Sequence, residues 1–433
     1  MIEIKTFGCK VNTYDTGLLE SRFAKVGAID TPVGVRVLLF NTCAVTGEAT
    51  ADAQRQIRRA KRDDPNTFIA VTGCAAQVDT EKFEGMPEVD LVVANSHKGD
   101  IENLIAKKLR GELSDRVFKS NIFKKEDLEG GGGLEDGHTR AFLKIQDGCN
   151  SFCTFCVIPF ARGKSRSLTI SEITERTQEL LLGGVREIVL TGVHIGDYEF
   201  GLENLIENLL LKTRVPRLRL TSLEPIELSD RLFELFEDPR LCPHFHMSIQ
   251  SASTRVLANM KRKYDAQKVE WALTEIARRV PHAFVGMDVI AGFVDEGEQE
   301  FLETYERLDR MPWSKIHVFP YSERPGTYAM RLPNKNERSV ISSRASRLRE
   351  LSHARHEQVA SRQLGALKKV LILKNNQGLS RDFWPVEFSG TIANQAANQA
   401  AHQVNEERQV QITALSRDQR GRYDGSLVGQ ILA

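Results

Sequence analysis

Cys149, Cys153 and Cys156 stand in a C-x3-C-x2-C arrangement within one short stretch of the 433-residue chain. Thiolate is the soft ligand that iron-sulfur clusters take, and three thiolates can hold three corners of a 4Fe-4S cube. The fourth iron then has no protein ligand and is open to a substrate or cofactor, which an amino acid moiety would chelate. Zinc is the alternative for the same residues, with His138 or His194 as fourth ligand. The x3-then-x2 spacing, however, is not the paired C-x2-C arrangement of zinc ribbons. Three more cysteines close the segments Thr6-Phe7-Gly8-Cys9, Asn41-Thr42-Cys43 and Thr72-Gly73-Cys74. The seventh, Cys242, carries no pattern and reads as a partly buried free thiol. In a long chain without secretory features such cysteines read as ligands rather than a disulfide framework.

The elements that must position these residues show in the apolar periodicity. Strand-like runs at 2–7, 35–40, 67–72 and 89–94 alternate with amphipathic stretches such as 48–62, the pattern of a parallel α/β sheet. Cys9, Cys43 and Cys74 each follow one of these runs, at the sheet edge where such folds open their crevice, so they can converge despite their separation. Residues 119–140 are charged and Gly-rich and read as a flexible linker. Strands are then expected at 142–146, 187–191, 217–222, 244–249, 284–290 and 315–319, with helices around 171–182, 203–212, 229–236, 266–279 and 298–310. Six βα steps predict a partial (β/α)6 barrel, with the cysteine triplet on the face where strands end. An Arg-rich helix follows at 337–363; its Arg338, Arg344, Arg347, Arg349, Arg355 and Arg362 suit a solvated face as well as RNA contact. Short strands at 368–374, 385–392, 408–415 and 426–432 suggest a small β-barrel interrupted by the Ala/Asn/Gln-rich 393–403. The expected fold class is therefore α/β, with an N-terminal α/β domain (1–118), a linker (119–140), the partial barrel with its following helix (141–364) and a C-terminal β-barrel (365–433).

Composition narrows the partners. A net charge of +1 gives no strong field for phosphates, so nucleic acid must be met by local patches. Arg55, Arg58, Arg59, Lys61 and Arg62 form one candidate, and Arg162, Lys164 and Arg166 another. The 41% hydrophobic and 27% charged residues are those of a globular chain. No apolar stretch approaches the roughly 18 residues of a membrane span, and no secretory signal is visible, so a cytoplasmic monomer is expected.

The stretch Gly148-Cys149-Asn150-Ser151-Phe152-Cys153-Thr154-Phe155-Cys156 resembles the radical S-adenosylmethionine motif. The resemblance implies reductive cleavage of S-adenosylmethionine at the open iron, giving methionine and a 5'-deoxyadenosyl radical that removes hydrogen from an unreactive C–H bond. Cys156-Val-Ile-Pro-Phe-Ala-Arg-Gly163 with Arg166-Ser167, Ile188-Val-Leu-Thr-Gly192 and His246-Met-Ser-Ile-Gln-Ser251 resemble the methylthiotransferases. Gly8-Cys9-Lys10-Val11-Asn12, Asn41-Thr-Cys43 and Gly73-Cys74 are similar to that family's second cluster site. The resemblance thus implies two 4Fe-4S clusters, one on Cys149, Cys153 and Cys156, the other on Cys9, Cys43 and Cys74.

Three branches of the family act on isopentenyladenosine in tRNA, on threonylcarbamoyladenosine in tRNA, or on an aspartate of a ribosomal protein. Thr6-Phe-Gly-Cys-Lys-Val-Asn12, Asn41-Thr-Cys-Ala-Val-Thr46 and His317-Val-Phe-Pro-Tyr-Ser322 look most like the threonylcarbamoyladenosine branch. That implies addition of a methylthio group to C2 of adenosine 37 in the anticodon loop of tRNA, with one S-adenosylmethionine as methyl donor and a second as radical source. Phe155, Thr191, Gly192, Ser222, Glu224 and Gln250 are the candidates for binding S-adenosylmethionine. Partners implied are tRNA, a reductant such as flavodoxin or ferredoxin, and a sulfur donor the sequence does not name. Both cysteine triads must then face one cavity, because a substrate radical has to reach sulfur without meeting solvent. One departure stands out: Gly292-Phe293-Val294-Asp295-Glu296 lacks the proline and second glycine of the family's Gly-Phe-Pro-Gly-Glu, so a different turn is expected. The C-terminal module resembles a TRAM domain, a small RNA-binding barrel. The rival from another class is a non-catalytic iron-sulfur or zinc protein that binds RNA.

Overall fold

A computed structural model describes residues 2–26, 35–128, 139–388 and 404–432. Strands β1 (Ile2–Thr6), β2 (Val37–Thr42), β3 (Phe68–Gly73), β4 (Leu91–Val93) and β5 (Val117–Phe118) lie in sequence order in one parallel sheet. Helices α1 (Lys10–Val26), α2 (Gly47–Asp63), α3 (Cys74–Val78), α4 (Thr80–Glu84) and α5 (Ile101–Leu109) connect them. Every residue of β2 and β3 is buried, which is why these strands read as unbroken apolar runs. Thr46 caps α2 by accepting from the Ala49 amide at 3.2 Å. β5 was not expected: two residues are too short for any periodicity to show.

The central part comprises β6 (Arg140–Lys144), β7 (Gln146–Asp147), α6 (Ile158–Arg162), β8 (Arg166–Ser167), α7 (Ile170–Leu182), β9 (Glu187–Thr191), α8 (Leu202–Lys212), β10 (Leu218–Leu220), α9 (Asp230–Leu235), β11 (His244–Gln250), α10 (Thr254–Asn259), α11 (Ala266–Arg279), β12 (Phe284–Ala291), α12 (Glu298–Arg310) and β13 (Lys315–Pro320). β6, β9 and β10 form one parallel ladder and β11, β12 and β13 another. Parallel bridges at Leu218–Leu241 and Leu223–Met247 join them, so the six expected strands form one partial barrel. Its core sets Leu143, Leu190, Leu220, Phe245 and Met287 against helical residues such as Leu205, Leu209, Leu273 and Ile276.

The stretch expected as a linker is in part packed. Ile122 is buried, and the Phe123 ring lies 6.2 Å from Phe152 and 5.9 Å from Phe160. The Gly-rich residues 129–138, His138 among them, lie outside the described residues.

A long helix, α13 (Arg338–Ser361), leads to β14 (Leu367–Ile372), β15 (Gln377–Ser380), β16 (Pro385–Phe388), β17 (Glu407–Arg417) and β18 (Tyr423–Ile431), which close into a barrel in the order β14-β15-β16-β18-β17. β15 does not show in the sequence because Asn375 and Asn376, just before it, and Gly378 within it are turn residues. The Ala/Asn/Gln-rich stretch 393–403 lies outside the described residues. Three of the α13 arginines serve packing: Arg344 donates to the Glu296 carbonyl at 2.6 Å, Arg347 lies 4.5 Å over Phe301 and Arg355 lies 4.8 Å over Trp313. Arg338, Arg349 and Arg362 are exposed.

The small barrel sits against the end of the central sheet where strands begin. Phe284, first in β12, packs 5.0 Å from Trp384, and His244, first in β11, lies 4.0 Å from Phe383. Arg217 donates to the carbonyls of Leu379 and Ser380 at 3.1 Å, while its Nε meets Glu187 at 2.9 Å. Among the described residues no helix is long and apolar enough to cross a membrane.

Candidate iron-sulfur and cofactor site

The triplet Cys149, Cys153 and Cys156 lies on the loop that leaves the first barrel strands. Gly148 opens the loop with φ +75°, and a Cβ there would sit 2.0 Å from the Lys164 carbonyl oxygen, so only glycine fits. The Cys149 amide donates to Gly163 at 3.1 Å, and Thr154 is pinned by its amide to Met260 at 3.1 Å and its hydroxyl to Asn259 at 2.8 Å. Two charged side chains address the sulfurs. Arg262 Nη1 donates to Cys153 Sγ at 3.2 Å, while its Nη2 pairs with Glu224 at 2.8 Å. His194, hydrogen-bonded to Cys149, holds Glu227 through Nε2. Burial opposes the charge on His194, but Cys149, Glu227 and Glu224 outweigh it and push the imidazole up to about 11. Burial raises Cys153 against the opposing Arg262, and lifts Cys156 to about 12. Cys149 is lowered, because the hydrogen bonds from His194 and Ser151 outweigh its burial.

Cys9, Cys43 and Cys74 gather at the ends of β1, β2 and β3. Gly8, at φ +97°, brings the chain so close that a Cβ would lie 2.5 Å from both Cβ and Sγ of Cys43. Asn12 donates to the carbonyls of Phe7 (2.8 Å) and Thr42 (3.0 Å), tying two strand ends together. Asn95 Nδ2 lies 3.8 Å from Cys74 Sγ and donates to the Ala161 carbonyl at 2.9 Å. Burial pushes Cys43 up to about 12 and Cys74 up as well.

The two triads share a wall. α6, which starts two residues after Cys156, packs on α3, which starts at Cys74; Val157 and Ala161 join Ala75 and Ala76 in one core. At its end Arg162 donates to Asn12 at 2.6 Å, to Asp15 at 3.0 Å and to Asp147 at 3.0 Å. Lys144 reaches Asp15 at 2.6 Å, and Lys98 does so at 3.1 Å. Arg162 was expected as a phosphate contact; at 3% exposed and bound within this network it does structural work instead. Arg166 is likewise held by the carbonyls of Lys125, Arg162 and Lys164, which leaves Lys164 exposed. In the other basic patch, Lys61 is tied to Asp90 and the Thr67 carbonyl.

The donor sets fit iron-sulfur clusters. Each triad supplies three soft thiols, and three cations, Lys98, Lys144 and Arg162, surround only two carboxylates beside Cys74, a surplus that suits an anionic thiolate-bound cluster.

Of the candidates for S-adenosylmethionine, Phe155 and Gln250 line a cleft of about 190 Å³ together with Val45, Thr46, Asp288 and Tyr321. Phe155 packs edge-on to Phe293 at 6.1 Å, and Gln250 takes φ +65°. Thr191 is buried at the end of β9, and Gly192 is pressed against Gln146, 3.0 Å from where its Cβ would be. Ser222 is half-buried after β10. Glu224 is engaged by Arg262 and so acts on the cysteine loop from behind. In the Gly292–Glu296 turn, Gly292 and Asp295 take positive φ, and the buried Glu296 carboxylate accepts from the Gly292 amide at 2.7 Å and from Arg344 at 3.2 Å. Arg262 and Glu227 do not show in the sequence, since lone charged residues far from the triplet carry no spacing signal; His194 reads there only as a zinc ligand.

A family model described as the radical SAM superfamily matches residues 143–308, and one described as uncharacterized protein family UPF0004 matches residues 1–94. A solved radical S-adenosylmethionine methyltransferase, TsrM from Kitasatospora setae, shares the fold, with TM-score 0.53 over 98% of this chain and 78% of that one at 11% identity. Fold and site thus define the class of radical S-adenosylmethionine enzymes. Curated relatives go further. The threonylcarbamoyladenosine tRNA methylthiotransferases MtaB of Aquifex aeolicus and Rickettsia prowazekii are each 34% identical, covering 90% of this chain and 97% and 92% of their own. The tRNA-2-methylthio-N(6)-dimethylallyladenosine synthase of Desulfotalea psychrophila is 31% identical over 87% of this chain and 88% of its own. The chain belongs to the MtaB family of radical S-adenosylmethionine methylthiotransferases, and its cofactors are S-adenosylmethionine and iron-sulfur clusters.

Proposed function

We propose that the chain places a methylthio group on C2 of N6-threonylcarbamoyladenosine at position 37 of tRNA, using two molecules of S-adenosylmethionine and two 4Fe-4S clusters. The cleft carries this reading: Val45 and Thr46 follow Cys43 on one wall, while Phe155, Gln250, Asp288 and Tyr321 bring the barrel's strand ends to the other. Cys149, Cys153 and Cys156 would hold one cluster and Cys9, Cys43 and Cys74 the other; when bound, the first supplies an open iron and an electron for cleaving S-adenosylmethionine, the second a seat for sulfur. The protein's part is to hold the base between the triads and keep water out. Phe155, backed by Phe293, offers an apolar wall, and the Gly47 amide bonds Ser322 Oγ at 3.3 Å where the two faces meet.

Basic groups set close to Asp288, which lines the cleft, suit the threonylcarbamoyl substrate. That substituent carries a carboxylate, whereas an isopentenyl group is wholly apolar. Lys10, next to Cys9, is pulled down to about 8 by burial, with Arg140 and Arg219 adding to the shift and Asp288 opposing it. His246 pairs with Asp288 at 3.0 Å and stacks on His317 at 5.5 Å. Groups of this kind gain no polar partner from an isopentenyl chain. Nucleoside analysis of tRNA from a strain lacking the gene tests the assignment: only the methylthio-threonylcarbamoyl nucleoside should vanish. Loss of the isopentenyl product, or unchanged tRNA, would overturn it. In the purified enzyme Lys10→Met should lower kcat/KM for threonylcarbamoyl substrate by roughly tenfold or more, the worth of one hydrogen bond to a charged group.

A further inference from the structure

We propose that a recess beside Cys153 and Cys156, separate from the cleft, is a second RNA contact that stacks an unpaired base of the tRNA loop and holds its flanking phosphates. It rests on the reading of the chain as a tRNA-modifying enzyme. The recess measures about 640 Å³; Cys153 and Cys156 line it on the side of the cysteine loop and Phe152, Phe160, Tyr328, Lys261 and Arg331 around it, whereas Arg262 and His194, which address the sulfurs, do not line it. Its three rings are exposed by 38%, 39% and 58%, an apolar display that a surface without a partner seldom keeps. Phe152 is held at φ +46°, a strained value for a bulky residue, and its ring meets Phe123 at 6.2 Å and Phe160 at 6.1 Å. Rings braced in this way lose little freedom when a base lands on them.

The charges point the same way. No carboxylate lines the recess, and among the described residues neither Lys261 nor Arg331 is ion-paired. Aromatic faces beside unneutralised cations are what single-stranded nucleic acid binds, each base by its π-face and each phosphate by charge. An apolar cluster of Val256, Met260, Phe293, Val294 and Ala329 lies between recess and cleft; Phe155 and Tyr321 at its margin face the cleft and Leu332 faces the recess. A base in the recess is therefore a neighbour of the one being modified. Gripping it on the far side of the cysteine loop would fix the register of the strand.

The test is binding of a threonylcarbamoyl anticodon stem-loop RNA to the reconstituted full chain, followed by fluorescence anisotropy over a range of salt. Phe160→Ala and Tyr328→Ala should each weaken binding by about tenfold or more. Lys261→Glu with Arg331→Glu should reduce the slope of log affinity against log salt by roughly 1 or more. Iron content and the cluster spectrum at wild-type values would verify that the variants fold. Variants that bind RNA as the wild type does overturn the recess alone. So would variants that bind normally but make less 5'-deoxyadenosine only when an acidic flavoprotein, rather than dithionite, supplies the electron, for the recess would then dock the reductant. A wild type that does not bind the stem-loop would overturn both the recess and the tRNA reading.

Discussion

Gly8 shows how much chemistry can depend on a missing side chain. Its positive φ and its 2.5 Å approach to Cys43 leave no room for a methyl group. Gly8→Ala should therefore spoil the Cys9, Cys43 and Cys74 site while sparing the other. Reconstituted protein should hold roughly half the iron, about four instead of about eight atoms per chain, and still cleave S-adenosylmethionine. Full iron in this variant would show that the second site tolerates a shifted Cys43. The six cysteines were legible in the sequence because spacing and strand ends mark them. Arg262, which addresses Cys153 from 109 residues away with no motif of its own, was not, and His194, which addresses Cys149, showed only as a candidate zinc ligand. The phosphate role read into Arg162 failed for the related reason that a sequence does not show which cation is buried.

At the scale of elements, the parallel strands were readable because burial on both faces makes their runs continuous, while β5, β15 and the short α3 and α6 carry too few residues for a period. α13 was legible as a helix but its arginines gave no hint of their partners. Its His356 lies between the central and small barrels, stacked 5.1 Å from Trp384, with Nδ1 3.1 Å from the Ser314 carbonyl. Burial, with Lys315 nearby, pulls this imidazole down to about 4. Between pH 6.5 and 4 the unfolded chain then binds more protons than the folded one, so stability is complete above that window and falls as pH drops through it, by about 3 kcal/mol at most. Urea midpoints should decline over that range, and His356→Gln should remove this part of the slope. An identical pH profile in the variant would contradict the neutral, buried state.

For the whole molecule, the union of the N-terminal sheet with the partial barrel was the least legible feature. Arg162 meets Asp15 across 147 residues and Arg324 meets Asp79 across 245, and no local pattern announces such pairs. Arg324 is buried, and Asp79 also accepts from Thr50 at 3.0 Å. Arg324→Met should cost roughly 2 kcal/mol in denaturant unfolding, since Asp79 loses its buried partner and keeps only Lys82, at 3.1 Å, and Thr50; a second change, Asp79→Leu, should recover part of it. Additive losses in the double variant would mean that the two residues do not act as a pair.

The small barrel at the strand-start end has a consequence for how such a protein can be taken apart. Trp384 and Phe383 cover Phe284 and His244, and the Leu379 and Ser380 carbonyls take up the donors of the buried Arg217. A module joined in this way cannot be a cassette, free to be deleted or traded for another small barrel. Its removal would open the floor of the catalytic barrel and bring water to buried arginines and to the underside of the chamber where a radical must survive.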